Sequence, residues 1–242
     1  MIPPPDAPGE GVPIRERVAW LADRISGAER RAGRSPGAVT LVAVSKTQPL
    51  ERVLEARAAG LSVFGENYVQ EAEGKIPSVP GAEWHLIGKL QGNKVRRAVS
   101  LFSWIQTADS PKRLAEISRC AVESGKLVPV LLEVNVGAEE SKAGISPEAL
   151  RAVAESACGL PGVRVAGLMA IPPHADDPSA SRPHFARLRG LLEALAREFP
   201  GMGLRELSMG MSNDFEAAIE EGATMIRIGT ALFGGRSAGG RI

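Results

Sequence analysis

Sulfur and tyrosine are both scarce in this chain of 242 residues, which holds two cysteines and a single tyrosine, Tyr68. Cys120 and Cys158 stand 38 positions apart, without metal-ligand spacing and without a disulfide framework. That usage fits a reduced, intracellular compartment, and a cytoplasmic protein is expected. Charge of one sign is missing as well: 29 basic and 28 acidic residues leave a net charge of +1. Such a balance gives no electrostatic footprint for nucleic acid or for a membrane surface. No apolar run approaches the roughly 18 residues of a membrane span, and the Pro-rich start (Pro3, Pro4, Pro5, Pro8) lacks the apolar stretch of a leader. Also absent is a Gly-x-Gly-x-x-Gly turn after an early strand, which counts against an open doubly wound dinucleotide-binding sheet.

What is present is a regular alternation. Ile14, Val18, Leu21 and Ile25 make one apolar stripe of an N-terminal helix. Short apolar strands follow at about 40–46, 62–66, 83–88, 104–107, 129–136, 163–171, 206–210 and 225–229. Between them the periodicity predicts helices at about 50–59, 68–75, 93–101, 111–125, 147–158, 182–198 and 213–221. In the helix at 182–198, Phe185, Leu188, Leu192 and Leu195 share one face and continue to Phe199. Strand followed by helix, repeated through one chain with no linker, predicts parallel strands with right-handed crossovers. A single α/β (β/α)8 TIM barrel with an extra N-terminal helix accounts for the count and the length together. An open doubly wound sheet is the alternative. The barrel is expected over residues 13–236, with a disordered Pro-rich head at 1–12 and a flexible tail at 237–242.

In such barrels the chemistry collects where strands end. Leu41 to Thr47 reads as a buried strand with Lys46 at its C-terminal end, either a cation reaching for water or a tuned amine. The turn after the seventh strand, Ser208-Met-Gly-Met-Ser-Asn-Asp-Phe-Glu, holds Ser212 and Asn213 as N-cap residues and Glu216 as the partner of a capping box. It can be a plain helix start. With Gly229 and Thr230 after the eighth strand, the same turn can instead form a phosphate cradle, since the last two loops of these barrels commonly hold phosphate. Arg227 alternates with Ile226 and Ile228 and so faces the other way. It either closes the barrel end on an acid or stands beside the ligand. Site amine, phosphate cradle and arginine together suggest pyridoxal 5′-phosphate (PLP) held as a Schiff base.

Longer motifs carry a resemblance. Val44-Ser-Lys-Thr47, Phe64-Gly-Glu-Asn-Tyr-Val-Gln-Glu71, Trp84 through Lys94, Gly167 through Pro173 and Leu207 through Gly234 are similar to the pyridoxal phosphate homeostasis protein family, over about residues 14–236. Leu86 departs from it where the family often has phenylalanine, an apolar exchange. The resemblance implies a single PLP-binding barrel related to the N-terminal domain of alanine racemases, with the Schiff base on Lys46. It further implies phosphate contacts from Ser212, Gly229 and Thr230, Arg227 facing the pyridine nitrogen, and Asn67, His85 and Met209 around the ring. For His85, inside a strand, a satisfied core imidazole is the other reading.

PLP enzymes that stabilise carbanions usually place a carboxylate on the pyridine nitrogen, and an arginine there makes the ring a poorer electron sink. A racemase also needs a base on each face of the substrate carbon. Lys46 can be one; Tyr68 is the candidate for the other, against a reading in which it only packs. Three functions follow. The first is a PLP-binding protein of intracellular vitamin B6 homeostasis that holds and delivers the cofactor to PLP-requiring enzymes without strong catalysis. The second is a low-activity amino-acid racemase using Lys46 and Tyr68. The third is an interaction module using the basic run Lys89, Lys94, Arg96 and Arg97, which can equally be a wet helix face. No metal is expected, and the assembly is expected to be a monomer or weak dimer. The polar loop Glu139 to Gly144 is expected to rim the site.

Overall fold

The computed structural model describes residues 7–9, 11–137, 143–173, 175 and 177–235. Its centre is a closed barrel of eight parallel strands in sequence order. These are β1 (Thr40–Val44), β2 (Val63–Glu66), β3 (Glu83–Leu86), β4 (Trp104–Ala108), β5 (Val128–Glu133), β6 (Val163–Met169), β7 (Glu206–Ser208) and β8 (Met225–Ile228). Closure comes from β1 on β8, where Thr40 pairs with Met225 and Val42 with Arg227. The open-sheet alternative is excluded by that pairing. Residues 1–6 and 10 of the expected head, the expected Glu139 to Gly144 rim up to Lys142, and the tail at 237–242 lie outside the described residues.

Helices cover the barrel: α1 (Ile14–Arg31), α2 (Leu50–Ala58), α3 (Val69–Lys75), α4 (Val95–Leu101), α5 (Pro111–Glu123), α6 (Leu150–Ala157), α7 (Arg182–Glu198), α8 (Phe215–Glu220) and α9 (Thr230–Phe233). Local chemistry sets several boundaries. At α5, Pro111 takes the first helical position and the Ser110 hydroxyl accepts from the Arg113 amide at 3.3 Å. On α7 the buried residues are Phe185, Leu188, Leu192 and Leu195, the stripe that the sequence predicts. The N-terminal helix is less of an extra than its position suggests. Because α9 spans only Thr230–Phe233, α1 packs on α2, α8 and α9 and takes the eighth place in the outer ring.

The strands divide the core into two layers by their period of two. Phe64, Leu86, Leu132, Leu168, Ile226 and Ile228 point outward into the layer shared with the helices. The barrel interior holds a smaller apolar cluster of Val42, Leu131, Ala166, Met169 and Met225. Two glycines let elements approach closely. A Cβ on Gly167 would stand 1.9 Å from the Glu206 carbonyl oxygen, and one on Gly88 would stand 2.4 Å from that of Asn67. No described helix is long and apolar enough to cross a membrane.

Candidate functional site

A cavity of about 480 Å³ opens at the C-terminal end of the barrel, within the ~300–1,000 Å³ usual for small-molecule and cofactor sites. Lys46, Asn67, Arg227, Gly229 and Thr230 are on its wall, together with Ile87 and Met211. Strand ends from β1, β2, β3 and β8 thus converge from positions far apart in sequence.

The segment carrying Lys46 is clamped from behind. The Lys75 ammonium, buried on α3, donates to the Ser45 carbonyl at 2.7 Å, to Glu66 Oε1 at 2.8 Å and to Glu71 Oε1 at 2.6 Å. Glu66 Oε1 also accepts from the Ser45 hydroxyl at 2.6 Å, and Glu71 Oε1 accepts from the Thr47 amide at 2.6 Å. Thr47 has φ +62, the one non-glycine residue described with positive φ. One lysine and two carboxylates therefore fix the backbone on both sides of Lys46. Burial raises the Glu66 carboxyl above its ordinary range, against the pull of Lys75, and Glu66 Oε2 is buried with no partner among the described residues.

Across the cavity, Arg227 is buried and turned inward, opposite Ile226 and Ile228. Its Nη1 donates to Ser208 Oγ at 2.6 Å and its Nη2 to the Ala170 carbonyl at 2.9 Å. Burial pushes the guanidinium down to about 10, so it is still a cation at neutral pH. Glu133, buried at the end of β5, has its carboxyl raised by burial and by Asp109.

The turn after β7 does not work as a capping box. Glu216 reaches α1 instead, where Arg24 Nε donates to its Oε1 and Arg31 Nη2 to its Oε2, each at 2.6 Å. Asp214 is the N-cap residue of α8, and its Oδ1 accepts from the Met211 amide at 2.7 Å. Asn213 donates from Nδ2 to the Ala175 carbonyl at 3.2 Å. Ser212 lies behind the wall, its Oγ accepting from the Ala231 amide at 3.1 Å. That bond uses one amide of α9 and leaves those of Gly229 and Thr230, both on the wall, for an anion. Two arginines hold the other end of α9: Arg17 Nη1 donates to the Ala231 carbonyl at 3.2 Å and Arg52 Nη2 to that of Phe233 at 3.0 Å.

His85 and Met209 are not on the wall. Parity explains both. Met209 continues the outward side of Leu207 into the outer core, and the methionine at the cavity is Met211. His85 sits two residues below Ile87 inside the barrel, bonded through Nδ1 to Gln106 Nε2 at 2.7 Å and through Nε2 to Glu83 Oε1 at 2.9 Å. Tyr68 precedes α3 with 60% of its surface exposed and is not on the cavity wall. Two of the four cations of the basic run are in ion pairs: Arg96 with Glu123 at 2.7 Å and Arg97 with Glu73.

Sequence reasoning passed over Lys75, Glu66, Glu71 and Gln106. The i,i+4 spacing of Glu71 and Lys75 was visible, but it reads as an ordinary surface pair. Among the described residues no cluster of His, Cys, Asp and Glu is suited to a metal.

Residues 19–237 match the family model described as "Alanine racemase, N-terminal domain". The chain is 48% identical over 229 residues to the pyridoxal phosphate homeostasis protein of Pseudomonas aeruginosa, covering 93% of this chain and 97% of that one. Against the protein of the same name from Escherichia coli K12 the identity is 42%, covering 92% and 97%. The chain belongs to the pyridoxal phosphate homeostasis protein family. Among solved structures, this homeostasis protein family member is similar to PipY of Synechococcus elongatus determined with PLP bound, with TM-score 0.81 and 40% identity over 91% of this chain and 100% of that one. Alanine racemase from Corynebacterium glutamicum, 19% identical with TM-score 0.71, shares the barrel fold over 94% of this chain and 64% of its own.

Proposed function

We propose that the chain binds PLP at this cavity as a Schiff base with Lys46 and serves intracellular PLP homeostasis without strong catalysis. The observation that carries the reading is the wall itself, which sets one amine across from an inward arginine and the free start of α9. The residues fit the cofactor's groups. Lys46 supplies the amine for its aldehyde, and the Gly229 and Thr230 amides with the Thr230 hydroxyl supply donors for its phosphate. Arg227 and Asn67, both on the wall, would supply donors for the ring, and Ser212 would act by holding α9.

Bound PLP supplies an electron sink for carbanions, strongest with a protonated ring nitrogen. Arg227, held by Ser208 and Ala170 and charged at neutral pH, opposes that protonation. Among the described residues Lys46 is the wall's one general-base candidate, and Tyr68 lies off it. Both features favour storage over racemisation. The names of the relatives support the homeostasis reading, and the PLP in the PipY structure supports the cofactor. A cytoplasmic setting, PLP-requiring enzymes as recipients, and a monomer or weak dimer complete the reading.

The purified protein with PLP should absorb in the visible as a protonated imine and lose that band on borohydride reduction, while Lys46→Ala shows neither. Chiral analysis after long incubation with alanine should find no D-isomer above the Lys46→Ala control. Colour persisting in Lys46→Ala, or Lys46-dependent racemisation, contradicts the proposal.

A further inference from the structure

The barrel interior contains a line of polar side chains that the cavity alone does not explain. Starting at the cavity, Arg227 Nη1 reaches Ser208 Oγ at 2.6 Å, and Ser208 Oγ reaches Gln106 Oε1 at 2.6 Å. Gln106 Nε2 is 2.7 Å from His85 Nδ1, and His85 Nε2 is 2.9 Å from Glu83 Oε1. Ser208 and Gln106 are fully buried and His85 is 1% exposed, whereas the Glu83 side chain is 45% exposed. Glu83 opens β3, so it lies at the N-terminal end of the barrel, opposite the cavity.

The direction of this line is dictated by one residue. An arginine has donors only, so Ser208 Oγ must accept from it, and the single serine proton then goes to Gln106 Oε1. Gln106 is thereby oriented with its amide nitrogen toward His85, which needs an unprotonated Nδ1. The remaining imidazole proton is on Nε2 and is donated to Glu83. Gln106 Nε2 has a second acceptor in Met225 Sδ at 3.6 Å. The opposite arrangement fails. A proton on His85 Nδ1 would face the Gln106 amide nitrogen, and turning that amide over would make Ser208 Oγ accept from both Arg227 and Gln106 and take away the acceptor of its own proton. A half-satisfied buried network is costly, so the line admits one state. Besides Glu83, the ring's surroundings are the Trp104 ring at 5.5 Å and, over Trp104, the Arg164 guanidinium at 5.7 Å.

We propose that Glu83, His85, Gln106 and Ser208 are positioning residues that orient the Arg227 guanidinium in the cavity, and that Glu83 anchors the line from the opposite mouth of the barrel. None of the first three touches the cavity wall. What Arg227 faces rests on the PLP reading; the line itself does not.

The test therefore begins without cofactor. Long-range ¹H–¹⁵N spectra of the protein lacking PLP should show His85 as the Nε2–H tautomer near neutral pH. Glu83→Ala, at an exposed position, should keep the Nε2–H tautomer, which Arg227 sets through Ser208 and Gln106, but speed exchange of that proton with solvent, and Glu83→Gln, which keeps an acceptor, should restore its protection. In the PLP-loaded protein, Gln106→Leu should move the pH midpoint of the cofactor's absorbance by about one unit and Glu83→Ala by about half of that, a unit being a tenfold change in a protonation equilibrium. Should Gln106→Leu not fold, Glu83→Ala carries the same reading. A proton on His85 Nδ1, or unchanged midpoints in the folded variants, overturns the proposal. Failure of Lys46 trapping with the Nε2–H tautomer present overturns only the PLP reading.

Discussion

The two ends of the barrel are built from the same alternation of strands and loops, yet only one is equipped for chemistry. At the C-terminal end, the loops after β1, β7 and β8 bring an amine and the start of α9, and β8 itself an arginine, around the 480 Å³ cavity. At the N-terminal end a groove of similar size, 460 Å³, is lined by Leu127, Cys158, Pro161, Phe199 and Met202, with Arg164 as its cation. Size does not separate them. The difference is that one end gathers an amine, an inward arginine and backbone donors around one cavity, whereas the other is lined by apolar turns that return the chain from helix to strand and by the start of β6. Cys158, exposed there and in no disulfide, points its thiol at the Ala154 carbonyl at 3.9 Å.

The comparison can be broken most severely at the clamp behind Lys46. Lys75→Met leaves Glu66 buried, and losing one partner of such a pair costs about 3–5 kcal/mol. Chemical denaturation should show that loss, together with weaker PLP retention. A change under about 1 kcal/mol would mean that the clamp carries no strain of burial. Gly88→Ala should come next. Its Cβ would stand 2.4 Å from the Asn67 oxygen and 2.6 Å from its Cα, both backbone atoms, so Asn67 must move at a cost of about 1–3 kcal/mol. Spectroscopic titration should then show PLP binding weakened by about tenfold, read as ~1.4 kcal/mol. Unaltered affinity would remove Asn67 from the site.

Acid pH sharpens the link between the two ends. The hydrogen bond from His85 holds the Glu83 carboxyl below its ordinary 4.5. A carboxylate with a depressed folded value contributes stability above its unfolded value and loses it as pH falls through the folded one. The stability gap between the wild type and Glu83→Ala should accordingly be present at about pH 6 and close below about pH 4. A gap that widens in acid would contradict the bond. Smallest of all is the effect at the far groove. Leu127 is 58% exposed, and Leu127→Ala should change stability by no more than about 0.5 kcal/mol and leave PLP binding as it is. A loss of cofactor there would erase the contrast between the ends.

How much of this was legible beforehand follows the same physical line. Strand parity is local, so the inward turn of Arg227 could be read from Ile226 and Ile228 alone. Met209 obeys that rule too, pairing with Leu207 on the outer side, although the resemblance placed it by the ring. Turn chemistry is not local. Ser212 caps α9 from another loop, and Glu216 answers two arginines of α1, contacts between residues about 200 positions apart in the second case. The clamp of Lys75 was hidden because a buried ammonium and an exposed one share the same spacing to Glu71. His85 could be assigned to a strand but not to a depth, since its partner Gln106 comes from the neighbouring strand.

The central claim is that PLP is held by Lys46 at the C-terminal end. Borohydride reduction of the loaded protein, proteolysis and mass spectrometry of the labelled peptide test it most directly. The account predicts the pyridoxyl label on Lys46. A label on Lys89 or Lys94, with Lys46 unmodified, would contradict it.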